Sequence, residues 1–260
     1  KYIHRNSPLG QTLKVSTMSH DLSIVNGFAE MAFRGKTPWH GLGQQVAEGA
    51  TIDQWRKDAG WMWSANSAPV QYMTPDGLVT AEGQNALYRS DTGTLLGLVG
   101  SQYKPVQPAE VVEFFRDMVE SSHYQIEPMG TLNGGRKLWA LAGRKGLDAD
   151  RTGLGDMVKG GLLLATSLDG SSPTIVQPTT TRVVCANTLR MAQSVKQSQI
   201  RISHRSVFDP VEVQKKLSAM DTGFYEFIKQ SQELTRKNIT MTEAESILKS
   251  LFEKPVKGLN

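Results

Sequence analysis

The spacing of hydrophobic and polar positions changes several times along the chain. Ile52, Trp55 and Ala59 recur near helical spacing, with Thr51 placed to cap and Gly60 to stop, which predicts a short helix. The period then falls to two. Trp61, Trp63 and Ala65 alternate with Met62 and Ser64, and Val70 and Tyr72 alternate with Pro69 and Gln71. Thr74-Pro75-Asp76-Gly77 predicts a turn, because Pro fixes φ and Gly supplies a positive-φ position. Asn85–Arg89 and Thr94–Tyr103 read as strands joined through Ser90-Asp91-Thr92-Gly93, so this block is an antiparallel meander.

Helical spacing returns at Pro108–Ser121, where Val111, Phe114, Phe115, Met118 and Val119 form one apolar face and Glu110 and Glu113 suit the positive end. Tyr124–Thr131 and Lys137–Ala142 predict two strands joined by Asn133-Gly134-Gly135. A flexible stretch at Gly146–Gly155 leads into a strand at Met157–Ser167, and the β-branched segment Thr174–Val184 predicts another. Beyond Ser206 the pattern is helical: Asp209-Pro210 reads as a cap with Pro at the first position, and Val213, Leu217, Met220, Phe224, Phe227 and Ile228 form a stripe. Gly223 predicts a bend in that stripe, and Thr242 with Glu245 has capping-box spacing before Ile247 and Leu248. The predicted fold class is therefore α+β: an antiparallel β-meander packed on helices, followed by a helical C-terminal extension. The expected divisions are residues 1–17 as an upstream or tag-derived segment, 18–208 as the core domain and 209–260 as the extension, cut short at a linker-like terminus.

Composition narrows the class. With 39% hydrophobic and 21% charged residues, 260 residues can bury one sizeable core or two modest ones. The longest apolar run, near Gly160–Ser167, falls short of the roughly 20 residues that span a bilayer. A single cysteine, Cys185, forbids an intrachain disulfide and a Cys-rich zinc site, and fits a reducing, cytoplasmic compartment. The net charge of +4 matters less than its distribution. From Gly170 to Phe208 there is no Asp or Glu, while Arg182, Arg190, Lys196, Arg201 and Arg205 lie inside the window beside His204. Residues Glu110–Glu127 instead carry five carboxylates against Arg116 alone.

No P-loop, dinucleotide fingerprint, HExxH motif or nucleophile elbow is present, and the five histidines show no metal-ligand spacing, so no cofactor is expected. Cys185 and His40 are a formal nucleophile and base, but Val183-Val184-Cys185-Ala186 is an apolar setting typical of a buried thiol. The acid-free window has two readings. Its cations contact nucleic-acid phosphates, or they form a solvated face in strands and turns that disfavour acids. Lys104, Arg136 and Lys137 are candidates for a second basic lip. Trp39, Trp61, Trp63, Trp139, Tyr72 and Tyr103 are candidates for base stacking, although Trp61 and Trp63 share a face and suit a core. Trp39 and His40, on the Gly/Pro loop Pro38-Trp39-His40-Gly41-Leu42-Gly43, suit an exposed contact better.

That loop, together with Thr181-Arg182-Val183-Val184-Cys185-Ala186-Asn187-Thr188-Leu189 and Ser101-Gln102-Tyr103-Lys104-Pro105-Val106-Gln107, resembles the signature of a laterally transferred phage and plasmid protein family of unknown function. The resemblance spans about Phe28 to the C-terminus. The overall layout is similar to single-strand annealing recombinases of the RecT/Redβ kind. That likeness implies single-stranded DNA as ligand, homo-oligomeric rings or filaments, no metal or nucleotide, and a host single-strand-binding protein or phage exonuclease as partner. In this reading Arg182, Arg190, Lys196, Arg201, His204 and Arg205 hold the strand, with Lys104, Arg136 and Lys137 on the second lip. Asn187 orients a backbone group or a base, and Trp39 and His40 make the loop contact. Two rivals stand beside it: a protein-binding inhibitor of a host defence enzyme, and an enzyme with a dispersed active site around His40, Arg182 and Asn187. An Arg182 tucked under a turn and bonding carbonyls would look the same in sequence.

Overall fold

The alternating segments form separate antiparallel sheets in the computed structural model, which describes residues 20–120, 124–150, 157–194, 199–206, 209, 211 and 221–252. Short strands β1 (Ile24–Val25), β2 (Phe28–Ala29), β3 (Met31–Phe33) and β4 (Gln44–Gln45) precede helix α1 (Ile52–Asp58). Next come β5 (Ala65–Thr74), β6 (Gly77–Arg89) and β7 (Leu95–Gly100), then helix α2 (Pro108–Glu120). Strands β8 (Tyr124–Leu132), β9 (Lys137–Asp150), β10 (Met157–Ser167) and β11 (Thr174–Thr179) follow, then α3 (Ala186–Ser194), β12 (Ile200–Ile202), α4 (Asp221–Thr235) and α5 (Met241–Phe252). The larger sheet has the order β12-β11-β10-β9-β8-β3-β4, and β5-β6-β7 form the smaller meander. Every pair is antiparallel except β3 with β4.

The larger sheet is covered on both faces, which explains its unbroken apolar runs. Leu138, Ala140, Ala142, Leu162 and Leu164 pack with Ile52 and Trp55 of α1 and with Val111, Phe114 and Phe115 of α2. The alternate residues Trp139, Leu141, Leu163 and Ala165 pack on the other side with Leu22, Phe33, Val183, Cys185 and Leu189. Period-two geometry sends neighbours to opposite faces, and each buried large aliphatic or aromatic side chain contributes about 1.5–3 kcal/mol. Trp61 is fully buried, and its indole N–H is satisfied by donating to Thr131 Oγ1 at 2.8 Å.

A buried ion pair joins the two sheets. Arg89, at the end of β6, donates to both carboxylate oxygens of Glu30 at 2.6 and 2.8 Å and to Asp91 at 2.8 and 3.0 Å. Its guanidinium lies 4.2 Å from the Trp63 ring centre. Burial pushes the Glu30 carboxyl above the usual range against the pull of Arg89, whereas hydrogen bonds from Arg89 hold the more exposed Asp91 carboxyl below its ordinary value. Gly135 makes room for this pair: its φ is +108°, and a Cβ there would lie 2.8 Å from Leu96 Cδ2 and 3.0 Å from Arg89 Cδ.

The α+β class holds, and several details differ from expectation. Thr51 caps α1 by accepting from Gln54 N–H at 3.2 Å. Trp61 and Trp63 precede β5 rather than belonging to it, and the expected meander is a sheet of its own. Strand β9 continues to Asp150 through half of the stretch expected to be flexible, because β10 pairs with it there. Strand β11 stops at Thr179 instead of Val184, and the unexpected helix α3 follows. Its stripe of Ala186, Leu189 and Ala192 was hidden by the β-branched residues before it. Helix α4 includes Gly223 near its start, and Pro210 and the Val213, Leu217 and Met220 part of the expected stripe lie outside the described residues. The capping box of α5 is Thr240 with Glu243 rather than Thr242 with Glu245: Thr240 N–H donates to Glu243 at 2.8 Å and Glu243 N–H returns to Thr240 Oγ1 at 3.3 Å. The segment 1–17 and the terminus 253–260 lie outside the described residues.

Candidate nucleic-acid interface

The fold joins two of the three segments that carry the family-like signature, through His40 and Val184, 144 positions apart in sequence. In the Gly/Pro loop, Leu42 N–H donates to His40 Nδ1 at 3.1 Å, so the ring proton sits on Nε2 and is donated to Val184 O at 3.0 Å. Arg182, two residues before Val184, holds the start of the loop. Its guanidinium donates to the carbonyls of Lys36 at 2.5 Å and Arg34 at 3.3 Å. Both residues therefore hold the loop in place. Trp39 rides on it edge-on to His40, with ring centres 5.2 Å apart, and is 65% exposed.

Below the loop, the turn into α3 is locked by one hydroxyl. Thr188 Oγ1 accepts from Val184 and Cys185 N–H at 2.9 and 3.0 Å and donates to Cys185 O at 3.0 Å. The Cys185 thiol is buried and lies 3.4 Å from that hydroxyl. With the thiol enclosed and both His40 nitrogens engaged, the two do not form an exposed nucleophile–base pair. Asn187 and Arg190 are exposed on the first turns of α3, where Arg190 donates to Asn187 Oδ1 at 3.3 Å and lies 3.6 Å from Asp21. That ion pair is open to solvent and weak, so Arg190 can exchange Asp21 for another anion at little cost.

Sequence reasoning gave no role to His20 and Asp21. Ala186 N–H donates to His20 O at 3.1 Å, and the His20 ring stands 5.4 Å from that of His40. Burial, then the neighbouring His40, lowers the His20 pKa, while Asp21 raises it. Only the positive φ of Asp21, 53°, marks the segment as special, and that is a property of the fold.

The remaining candidates divide between two other places. At one end of the larger sheet, Lys137 pairs with Ser167, Leu168 N–H donates to Arg136 O at 2.7 Å, and Tyr103 OH donates to Ser167 O at 2.7 Å. His204 closes the cluster. It stacks on Tyr103 with centres 4.5 Å apart, and its two ring nitrogens reach Lys104 O at 3.1 Å and Ser172 O at 3.2 Å. The side chains of Lys104, Arg136 and Arg205 are exposed at this end, so the second basic lip shares it with Arg205. His204 is buried, which lowers its pKa, and Tyr103 is pushed up to about 12 by burial, so His204, expected among the strand contacts, is packed inside this cluster. Arg201 is exposed on the edge strand β12, and Lys196 lies outside the described residues. Within the acid-free window α3 and β12 are neighbours: Gln177 of β11 donates to Ala192 O at 2.6 Å, and Gln199, just before β12, donates to Gln193 O at 3.0 Å. Of the proposed stacking residues, Trp61, Trp63 and Trp139 are buried and Tyr103 is packed under His204, which leaves Trp39 and Tyr72 exposed.

A cleft of about 390 Å³ opens elsewhere, lined by Arg34, Glu48, Ile52, Trp55 and Tyr124 among others, and none of His40, Arg182 or Asn187 lines it. Among the described residues, no group of three or more His, Cys, Asp or Glu is placed to hold a metal, and no helix is long and apolar enough to cross a membrane.

No curated protein and no solved structure matches the chain. Residues 95–260 match a family described as Domain of unknown function (DUF932), a span that includes α3 and its preceding turn but not the Trp39 loop. That span is well over half of the sequence, and the chain belongs to the DUF932 family.

Proposed function

We propose that this protein binds single-stranded DNA without sequence preference, over Trp39 and the first turns of α3, and anneals strands without nucleotide hydrolysis. One observation carries the reading. Of five tryptophans, Trp55, Trp61, Trp63 and Trp139 are at most 5% exposed, while Trp39 is 65% exposed on a loop anchored by hydrogen bonds to Arg182 and Val184. An exposed indole on an anchored loop is a platform on which any base can stack. Arg190 and Asn187 stand on the helix that follows the turn to which the loop is tied, and supply donors for a backbone phosphate. Arg182 acts here as a positioning residue for the loop rather than a phosphate ligand. Neutralising the backbone while the bases are splayed lowers the barrier to pairing, and needs no covalent chemistry.

Binding of a fluorescent oligothymidine, measured at several salt concentrations, tests this. Trp39→Ala should weaken binding by about 1–3 kcal/mol, roughly 5- to 150-fold, while Trp39→Phe keeps most of the affinity. Arg190→Ala should lower the salt dependence by about one phosphate contact. Equal affinity of Trp39→Ala and the parent protein, or no binding at low salt, overturns the proposal.

A further inference from the structure

The β5–β6 hairpin does not end where the smaller sheet ends. Strand β7 pairs with β6 only from Gln84 to Tyr88, and the ladder between β5 and β6 shifts register after Pro69. Residues Ala81–Gln84 of β6 stand opposite Val70 alone, a bulge in which Gly83 takes a φ of +72°. Beyond it, Gln71, Tyr72, Met73 and Thr74 pair with Thr80, Val79, Leu78 and Gly77 as a two-stranded ribbon. None of residues 70–83 is buried.

The ribbon is nonetheless apolar on both sides. Tyr72 with Val79 and Met73 with Leu78 are adjacent cross-strand pairs, so they point to opposite faces, and all four are 39–75% exposed. An isolated two-stranded ribbon is marginal in water, and an apolar one with open edges is an association surface. Its charge selects the occupant. Residues 70–83 contain Asp76 and Glu82 and no Lys or Arg. Two such ribbons laid together would oppose like charges. The acid-free window of this same chain offers the complement: β12, the outermost strand of the larger sheet, presents exposed Arg201, and exposed Arg205 follows it. Among the described residues, Arg201 donates to Gln199 Oε1 at 3.4 Å.

We infer that the Val70–Gly83 ribbon of one copy docks on the β12 edge of a second copy, with Asp76 and Glu82 toward Arg201 and Arg205. Ribbon and seat are different surfaces, so the contact is head-to-tail and generates a ring or a filament rather than a closed pair. The inference goes beyond the proposed strand-binding surface: it names the contact that would array successive Trp39 platforms along one strand.

Light scattering and sedimentation over a range of protein concentrations test it on the full chain. The parent protein should assemble beyond a monomer, and Met73→Lys with Leu78→Lys should make it monomeric. Both positions are exposed, and an unchanged circular dichroism spectrum and melting temperature will show that the variant folds. Glu82→Arg and Arg201→Glu should each weaken assembly, by up to about fivefold, and combining them should restore it. A monomeric parent protein overturns the inference, as does assembly that survives the double lysine variant. Failure of the combined charge reversal to rescue overturns β12 as the seat. So does dependence on the exposed α5 residues Ile247 and Leu248 instead. The two proposals fail separately: the monomeric ribbon variant keeps its affinity for a short oligothymidine, and Trp39→Ala keeps its assembly.

Discussion

Replacing Arg89 with Met removes the cation from the most enclosed charged site among the described residues. Its side chain is 1% exposed and that of its partner Glu30 is 5% exposed. Met fills much of the Arg volume between Trp63 and Gly135, so the main loss is electrostatic, and the Glu30 carboxyl is left without its two donors at 2.6 and 2.8 Å. Breaking one side of a buried pair costs about 3–5 kcal/mol, because the remaining charge keeps its desolvation penalty and loses its compensation. For a chain of this size that is a fall in melting temperature of roughly 6–20 °C. Asp91, 40% exposed, can take up water and adds little to the loss. Adding Glu30→Leu to Arg89→Met should return most of the stability, since no buried charge then remains. Urea denaturation followed by circular dichroism on the single and double variants gives the coupling energy directly. A loss below about 1 kcal/mol for Arg89→Met would mean that water reaches the pair, and the account of how the two sheets are joined would fail.

Three further outcomes follow from the same geometry. His204 and His20 are held below their ordinary pKa, chiefly by burial, so the unfolded chain binds more protons than the folded one just below the normal histidine value. Stability should therefore fall as pH drops from about 7 toward 5, and His204→Gln should flatten that fall, read by denaturant midpoints across the range. Arg182→Ala, which frees the carbonyls of Arg34 and Lys36, should cost about 1.5–3 kcal/mol and increase quenching of Trp39 fluorescence by acrylamide. Gly135→Ala should destabilise by at least 1 kcal/mol, roughly what strain at positive φ alone costs, because its Cβ would also collide with Leu96 and Arg89; a smaller shift in urea midpoint would show that the cradle yields.

The sequence by itself determined what depends on near neighbours. The Thr51 cap, the Thr74–Gly77 turn, α2 and the hairpin at Asn133–Gly135 were all legible, since caps, turns and periodicity are local properties. So was the exposure of the Trp39 loop, because Pro and Gly at that density leave no continuous ladder to bury it. Only the tertiary structure decided which elements share a surface. Helix α3 and strand β12, each too short to show a clear period, are set beside β11 by hydrogen bonds from Gln177 and Gln199 to the end of α3. Contacts spanning 144 and 146 positions turned His40 and Arg182 from free ligands into anchors for the loop. Arg89 reads as one more surface cation until Glu30, 59 positions earlier, is brought beneath it. Pairing of that kind leaves no trace in spacing, because the chain between the partners only has to be long enough to return.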